Sequence, residues 1–192
     1  MSMLTSIIQA LSAKKRLVLI SVIKRPLVAK GQECARMLAG EEGCLYGSIG
    51  GSLLEGQALE KAKEVLASER CQFLDVSLAC ELSSADAGNE GGIRLFLEPL
   101  LPDGRTTTLF ERLKVAERMA DDMFAIVPVT APGQRRVCRL HAEKWPLPVS
   151  VTQKVREALA DKALTAPIEL NMGLGQHFII EPWLASPADG RA

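Results

Sequence analysis

The sequence predicts an α/β or α+β fold: a single compact domain with a mixed sheet flanked by helices, with two lobes as the alternative division. Three observations predict it. The chain of 192 residues is long enough for one well-buried core and short for two full-sized domains. Its hydrophobic share of 47% and charged share of 24% are those of an ordinary globular protein. Apolar runs of strand character alternate along the chain with runs of helical period.

Leu4, Ile7, Ile8 and Leu11 recur at helical spacing, so a short amphipathic helix ends near Ala13. Leu17 to Ile23 is β-branched and almost continuously apolar, as a strand covered on both faces is, and Pro26 closes it. Gly31 to Ala39 and Cys44 to Ser48 read as strands joined by a hairpin at Gly40-Glu41-Glu42-Gly43, where glycine tolerates positive φ. After Gly50-Gly51, Ser52 is the expected N-cap and Glu55 stands at capping-box spacing. The helix runs to about Ser68, with Leu54, Ala58, Ala62, Val65 and Leu66 on one face.

Cys71 to Ser77 is the next strand, and the small, polar stretch between Ala79 and Gly92 is a loop. Ile93 to Leu97 follows as a strand, with Glu98-Pro99 marking its end because proline lacks the ladder donor. Leu109 to Met123 is helical by pattern, Phe124 to Val129 and Arg136 to Leu140 are strands, and Val151 to Leu164 is a helix. Ile168 to Leu170 and His177 to Ile180 complete the strands. Glu98-Pro99 and Glu181-Pro182 each follow a short apolar strand, which predicts two similar strand ends, adjacent in one sheet.

Lysine plus arginine equals aspartate plus glutamate at 23 each, so no bulk field draws the chain to nucleic acid or an acidic membrane. Lys14-Lys15-Arg16 and Arg135-Arg136 with Arg139 read as solvated loop ends. The five cysteines, Cys34, Cys44, Cys71, Cys80 and Cys138, are odd in number and show neither CxxC pairing nor zinc-site spacing. The opening residues place basic groups after apolar ones, the reverse of a secretory signal, and no apolar run reaches membrane-spanning length. A reduced, cytoplasmic protein is expected.

The chemistry-bearing signal is the glycine-rich strand-to-helix turn Gly47-Ser48-Ile49-Gly50-Gly51. Such a turn presents backbone N–H groups at the positive end of a helix dipole, where a phosphate can sit, or it is only a tight corner. It is neither a dinucleotide fingerprint nor a Walker loop, since no Gly-Lys-Ser/Thr follows. Gly91-Gly92 is a second glycine site. His141 and His177 have no nucleophile pattern beside them and read as satisfied histidines. Cys44 and Cys80 are the cysteines better placed to react, and no triad, carboxylate pair or metal constellation is visible.

Three segments taken together resemble a known family. Ala35-Arg36-Met37-Leu38, then Gly47-Ser48-Ile49-Gly50-Gly51 with Glu55 and its helix, then Gly91-Gly92 through Glu98-Pro99-Leu100 are similar in order and spacing to the xanthine dehydrogenase accessory factor (XdhC/CoxI) family. The resemblance implies an accessory protein that binds molybdenum cofactor (molybdopterin) and delivers it to a molybdenum hydroxylase apoenzyme, with a sulfurase as a further partner; a homodimer is expected only because symmetric pairs are the commonest assemblies. It implies a chaperone, not an enzyme. Gly47, Ser48, Gly50, Gly51, Ser52, Glu55, Gly91 and Gly92 would then form the cofactor site.

Family members commonly continue into a Rossmann domain, and residues 178–187 resemble that join, so residues 1–187 are expected to be the domain and 188–192 a tail. Where the family often carries a third glycine and two cysteines this chain has Ser52, Leu53 and Glu90, so thiolate ligation is not carried over. Two other classes stay open: a partner-docking scaffold that has lost cofactor binding, and a small enzyme acting on a phosphorylated metabolite through Cys44 or Cys80.

Overall fold

A computed structural model describes residues 2–25, 35–77, 92–131, 133–160, 167–173 and 175–183. In chain order the elements are α1 (Met3–Ser12), β1 (Leu17–Lys24), β2 (Arg36–Gly40), β3 (Gly43–Gly47), α2 (Ser52–Ser68), β4 (Gln72–Val76), β5 (Ile93–Leu100), α3 (Gly104–Arg118), β6 (Met123–Pro128), β7 (Arg136–Arg139), α4 (Val149–Ala160), β8 (Ile168–Asn171) and β9 (His177–Trp183). The strands form a five-stranded sheet in the order β3-β2-β1-β5-β4 and a four-stranded sheet in the order β7-β6-β9-β8. Every pairing among the described strands is antiparallel, so the expected combination of helices and strands holds, but on two antiparallel sheets in place of one mixed sheet.

The layering follows from which residues each strand turns to which side. Val18, Ile20 and Val22 of β1 pack with Leu95 and Leu97 of β5 under the apolar stripe of α2, whose Leu54, Ala58, Ala62, Val65 and Leu66 are all buried. Leu17, Leu19 and Leu38 face the other way, where they meet α1 and α3 through Ile7, Leu11, Phe110 and Leu113. Phe96 on that same face meets Val127 and Ile179 of the second sheet. The far face of the second sheet, with Phe124, Ile126 and Ile180, is covered by Val151 and Val155 of α4. Helix, sheet, sheet and helix are thus stacked, with α1 and α3 closing one end.

Several boundaries differ from the sequence expectation. Helix α3 begins at Gly104, ahead of Leu109, because the Asp103 side chain accepts from the Thr106 N–H at 2.6 Å and caps it there. It ends at Arg118, and Met123 already belongs to β6. Both Glu-Pro pairs lie inside strands: Pro99 is opposite Val18 and Pro182 opposite Phe124. Each proline lies past the last residue paired to the outer neighbour, Leu97 against β4 and Ile180 against β8, so its missing N–H is tolerated at a locally free edge. These strand ends belong to different sheets and are not adjacent in one.

Candidate functional site

The glycine turn joins β3 to α2 at the edge of the five-stranded sheet. Gly47 has φ +81°, and a Cβ there would stand 2.3 Å from the Arg36 carbonyl oxygen, so the close approach of β2 demands glycine. Ile49 is fully buried in the core beneath α2, and it pins the loop while Ser48, Gly50 and Gly51 stay exposed. From the other side the Arg25 Nη2 donates to the Ile49 carbonyl at 2.7 Å, and its guanidinium lies against Gly50, 3.3 Å from where a Cβ would be. A cation therefore stands beside the turn.

Glu55 organises the loop from within the helix. Its Oε1 accepts from the Ser48 hydroxyl at 2.5 Å and from the Ile49 N–H at 3.2 Å, and Ser48 Oγ in turn accepts from the Gly50 N–H. The Ser48 hydroxyl, aided by the amides of Ile49, Gly50 and Gly51, holds the Glu55 carboxyl below its ordinary value against the opposing effect of burial. Because the folded value is lowered, this contribution to stability is present above the ordinary carboxylate range and is lost as pH falls through the folded value. The expected outcome is that Glu55→Gln loses stability relative to the parent at neutral pH and that this difference vanishes on acidification, which urea titrations at a series of pH values measure.

The predicted capping box is not formed. Gly51 is the N-cap, at φ +116° with no side chain to offer, and Ser52 is the first helical residue. Glu55 reaches past Ser52 to the loop. The reason is conformational: Gly51 adopts a backbone geometry that serine would avoid and takes the N-cap position, so the helix starts one residue earlier than side-chain type suggests. As a result no side chain caps α2, and its first-turn N–H groups are left for solvent or a ligand.

The second glycine motif lies at the same end of the sheet. Lys24 pairs with Arg94 and Val76 with Ile93, so Gly92 enters β5 beside the end of β4, level with the end of β1 from which Arg25 projects. A Cβ on Gly92 would be 2.9 Å from the Val76 carbonyl oxygen, a strand-to-strand requirement. The two motifs share one sheet end but are separated by β2 and β1, roughly 14 Å at ordinary strand spacing. Gly91, Glu90, Cys34 and Cys80 lie outside the described residues.

Cys44 is exposed on β3, with Leu53 close behind the turn at 69% exposure where the family pattern has cysteine. Burial pushes the Cys138 thiol up to about 11 and that of Cys71 further, so neither is a thiolate at neutral pH. His177 shares its Nε2 with Glu169 at 2.9 Å and stacks on Phe73, and Arg94 joins Glu169 to Asp75. It is a satisfied histidine tying the two sheets together. Among the described residues no group of three or more histidine, cysteine or carboxylate side chains is placed to hold a metal ion. No helix there is long and apolar enough to cross a membrane.

Sequence reasoning missed a buried polar cluster between the sheets. Arg135, 4% exposed, donates to Glu98 and, at 2.8 Å, to Glu181, which are 1% and 0% exposed, and the Ser21 hydroxyl donates to Glu181 at 2.5 Å. Arg135 is therefore no solvated loop end. The two Glu-Pro strand ends were the signal that pointed to it: they place their carboxylates on facing sheets with one guanidinium between them.

Residues 10–77, which run from α1 through the glycine turn to the end of β4, match the model of the XdhC and CoxI family. A crystal structure described as a xanthine dehydrogenase from Bacillus halodurans shares the fold, with a TM-score of 0.57 at 18% sequence identity over 93% of this chain. This chain spans about half the length of that protein, 53% of it. No curated protein matches the sequence.

Proposed function

From a segment of the XdhC and CoxI family that contains the whole glycine turn, we propose that this protein is an accessory factor for a molybdenum hydroxylase of the xanthine dehydrogenase type, binding molybdenum cofactor and delivering it to the apoenzyme. The observation that carries the reading is the position of the family match: it covers the turn, Arg25 and the uncapped start of α2. The donor chemistry there suits the terminal phosphate of a pterin. Uncapped first-turn N–H groups, the Ser52 hydroxyl and the nearby Arg25 charge form an anion seat.

The roles divide by what each residue already does. Gly47 and Gly92 allow strands to approach, Ser48 and Glu55 hold the loop closed on itself, and Gly50, Gly51 and Ser52 present the open face. With Gly91 they form the proposed site. The cofactor supplies the molybdenum centre of the client hydroxylase. This chain contributes retention and release; Leu53 stands where the family pattern has cysteine, and the exposed Cys44 thiol lies at the start of the turn, donating to the Gly47 carbonyl at 3.7 Å.

The test is anaerobic retention of molybdenum cofactor on ultrafiltration, beside Ser52→Asp. An aspartate at the first helical position is favourable for the helix, so the variant folds, yet it puts a carboxylate where the phosphate would sit. The expected result is stoichiometric retention by the parent and a loss of at least about tenfold in affinity by the variant. A folded parent that retains nothing overturns the reading. The alternative of a partner-docking scaffold is favoured by exposed Leu53 and predicts capture of the apo-hydroxylase by both proteins without any pterin.

A further inference from the structure

A second concave site lies away from the glycine turn, where α3 packs beside β7, the free edge of the four-stranded sheet. Its volume is about 630 Å³, within the range of roughly 300–1,000 Å³ usual for small-molecule sites. Besides Arg135, whose charge is taken up by Glu98 and Glu181, Arg105, Arg112, Arg136, Arg139 and Lys144 line it, and no carboxylate does among the described residues. In a chain whose charges balance at 23 of each sign, five cations beyond the internally paired Arg135 gathered in one hollow are a local asymmetry that needs a reason.

The placement is structural. Arg105 and Arg112 stand on α3 seven residues apart, two turns along one face, with Thr108 between them. Arg136 is held across the hollow by donating to the Pro146 carbonyl at 2.6 Å, and Arg139 by Asp121 at 3.0 Å. Arg105, Arg112 and Lys144 have no ion-pair partner among the described residues. Two of the cations are thus fixed in position and three are uncompensated. Beneath them Leu109, Met123, Val137 and Trp145 give an apolar floor.

We propose that this cleft binds an organic phosphate with two or more phosphoryl groups, the phosphates on the α3 and β7 cations and the organic body on the apolar floor. Guanidinium groups suit phosphate oxygens through paired donors, and several of them around one hollow suit a ligand of several negative charges. The cleft shares no residue with the glycine turn, so the proposal stands apart from the cofactor reading. A nucleic acid fits the shape less well, because the cations gather around one concave hollow instead of an extended stripe.

The experiment is calorimetric titration of the full chain with ADP and with inorganic pyrophosphate at about 50 mM salt. Arg105→Glu/Arg112→Glu is compared with Lys63→Glu/Arg70→Glu, which makes the same charge change at exposed positions on and just after α2. The expected result is saturable binding of both probes, ADP the tighter, with affinity reduced at least about tenfold in the first variant and retained in the second. Absence of saturable binding, equal loss in both variants, or pyrophosphate binding as tightly as ADP overturns the proposal.

Discussion

Arg135→Met is expected to destabilise the protein by about 3–5 kcal/mol, the usual effect of removing one partner from a buried ionic cluster. Glu98 and Glu181 are 1% and 0% exposed and would face each other across the sheet interface with no cation between them. The lost partner is not the main cost. What dominates is the desolvated negative charge left behind. Replacing the whole cluster, as Ser21→Ala/Glu98→Leu/Arg135→Met/Glu181→Leu, should recover most of the loss, because apolar packing at such sites is often neutral. Urea denaturation followed by circular dichroism measures both variants, and an Arg135→Met protein within about 1 kcal/mol of the parent would show that water or rearrangement already compensates the cluster.

The same cluster sets opposite pH dependences on its two carboxylates. At Glu98 burial, joined by the neighbouring Glu181 charge, raises the pKa against the opposing pull of Arg135. At Glu181 burial also pushes upward, but Arg135, Arg36 and the Ser21 hydroxyl together hold it below its ordinary value. Glu181 therefore contributes stability that is present above the ordinary carboxylate range and lost as pH falls through its lowered value. For Glu98 the folded state keeps a proton that the unfolded chain has released, so stability declines as pH rises from the ordinary value towards the raised one. Glu98→Gln should abolish that decline while the acid loss due to Glu181 remains, as denaturation midpoints across pH reveal.

How much of this was legible in the sequence depends on how local the cause was. The five buried residues of α2 are readable because a 3.6-residue period survives without knowing the partner, and β1 is readable because a strand covered on both faces has nowhere to place a polar residue except Ser21. Ser21 is itself the trace of the hidden cluster. Arg135 was not legible: its partners are 37 and 46 residues away, and Gln134-Arg135-Arg136 has the composition of a solvated turn. The start of α2 was misplaced for a related reason, since side-chain type favoured Ser52 while backbone conformation chose Gly51. The candidate site was legible as a glycine turn at a helix start, whereas the occupation of its inner amides by Glu55 required the fold.

Gly47→Ala is expected to cost about 3 kcal/mol, and Gly51→Ala clearly less. Both glycines have positive φ, +81° and +116°, so each alanine incurs the strain of a conformation that L-residues avoid, about 1–3 kcal/mol. Only Gly47 adds a collision: its Cβ would meet the Arg36 carbonyl oxygen at 2.3 Å, whereas nothing lies within 4 Å of a Cβ on Gly51. Because Gly47 pairs with Met37, relief of that collision requires β3 to move off β2 and to carry Ser48 and Ile49 with it. The loop that Glu55 gathers would then lose its anchor at one end. Cofactor retention and stability should consequently fall together in Gly47→Ala, while Gly51→Ala, with its collision-free Cβ, separates the two readouts. Equal denaturation midpoints for the two variants would mean that β3 yields freely, and that the turn's geometry is set by Ile49 and α2 alone.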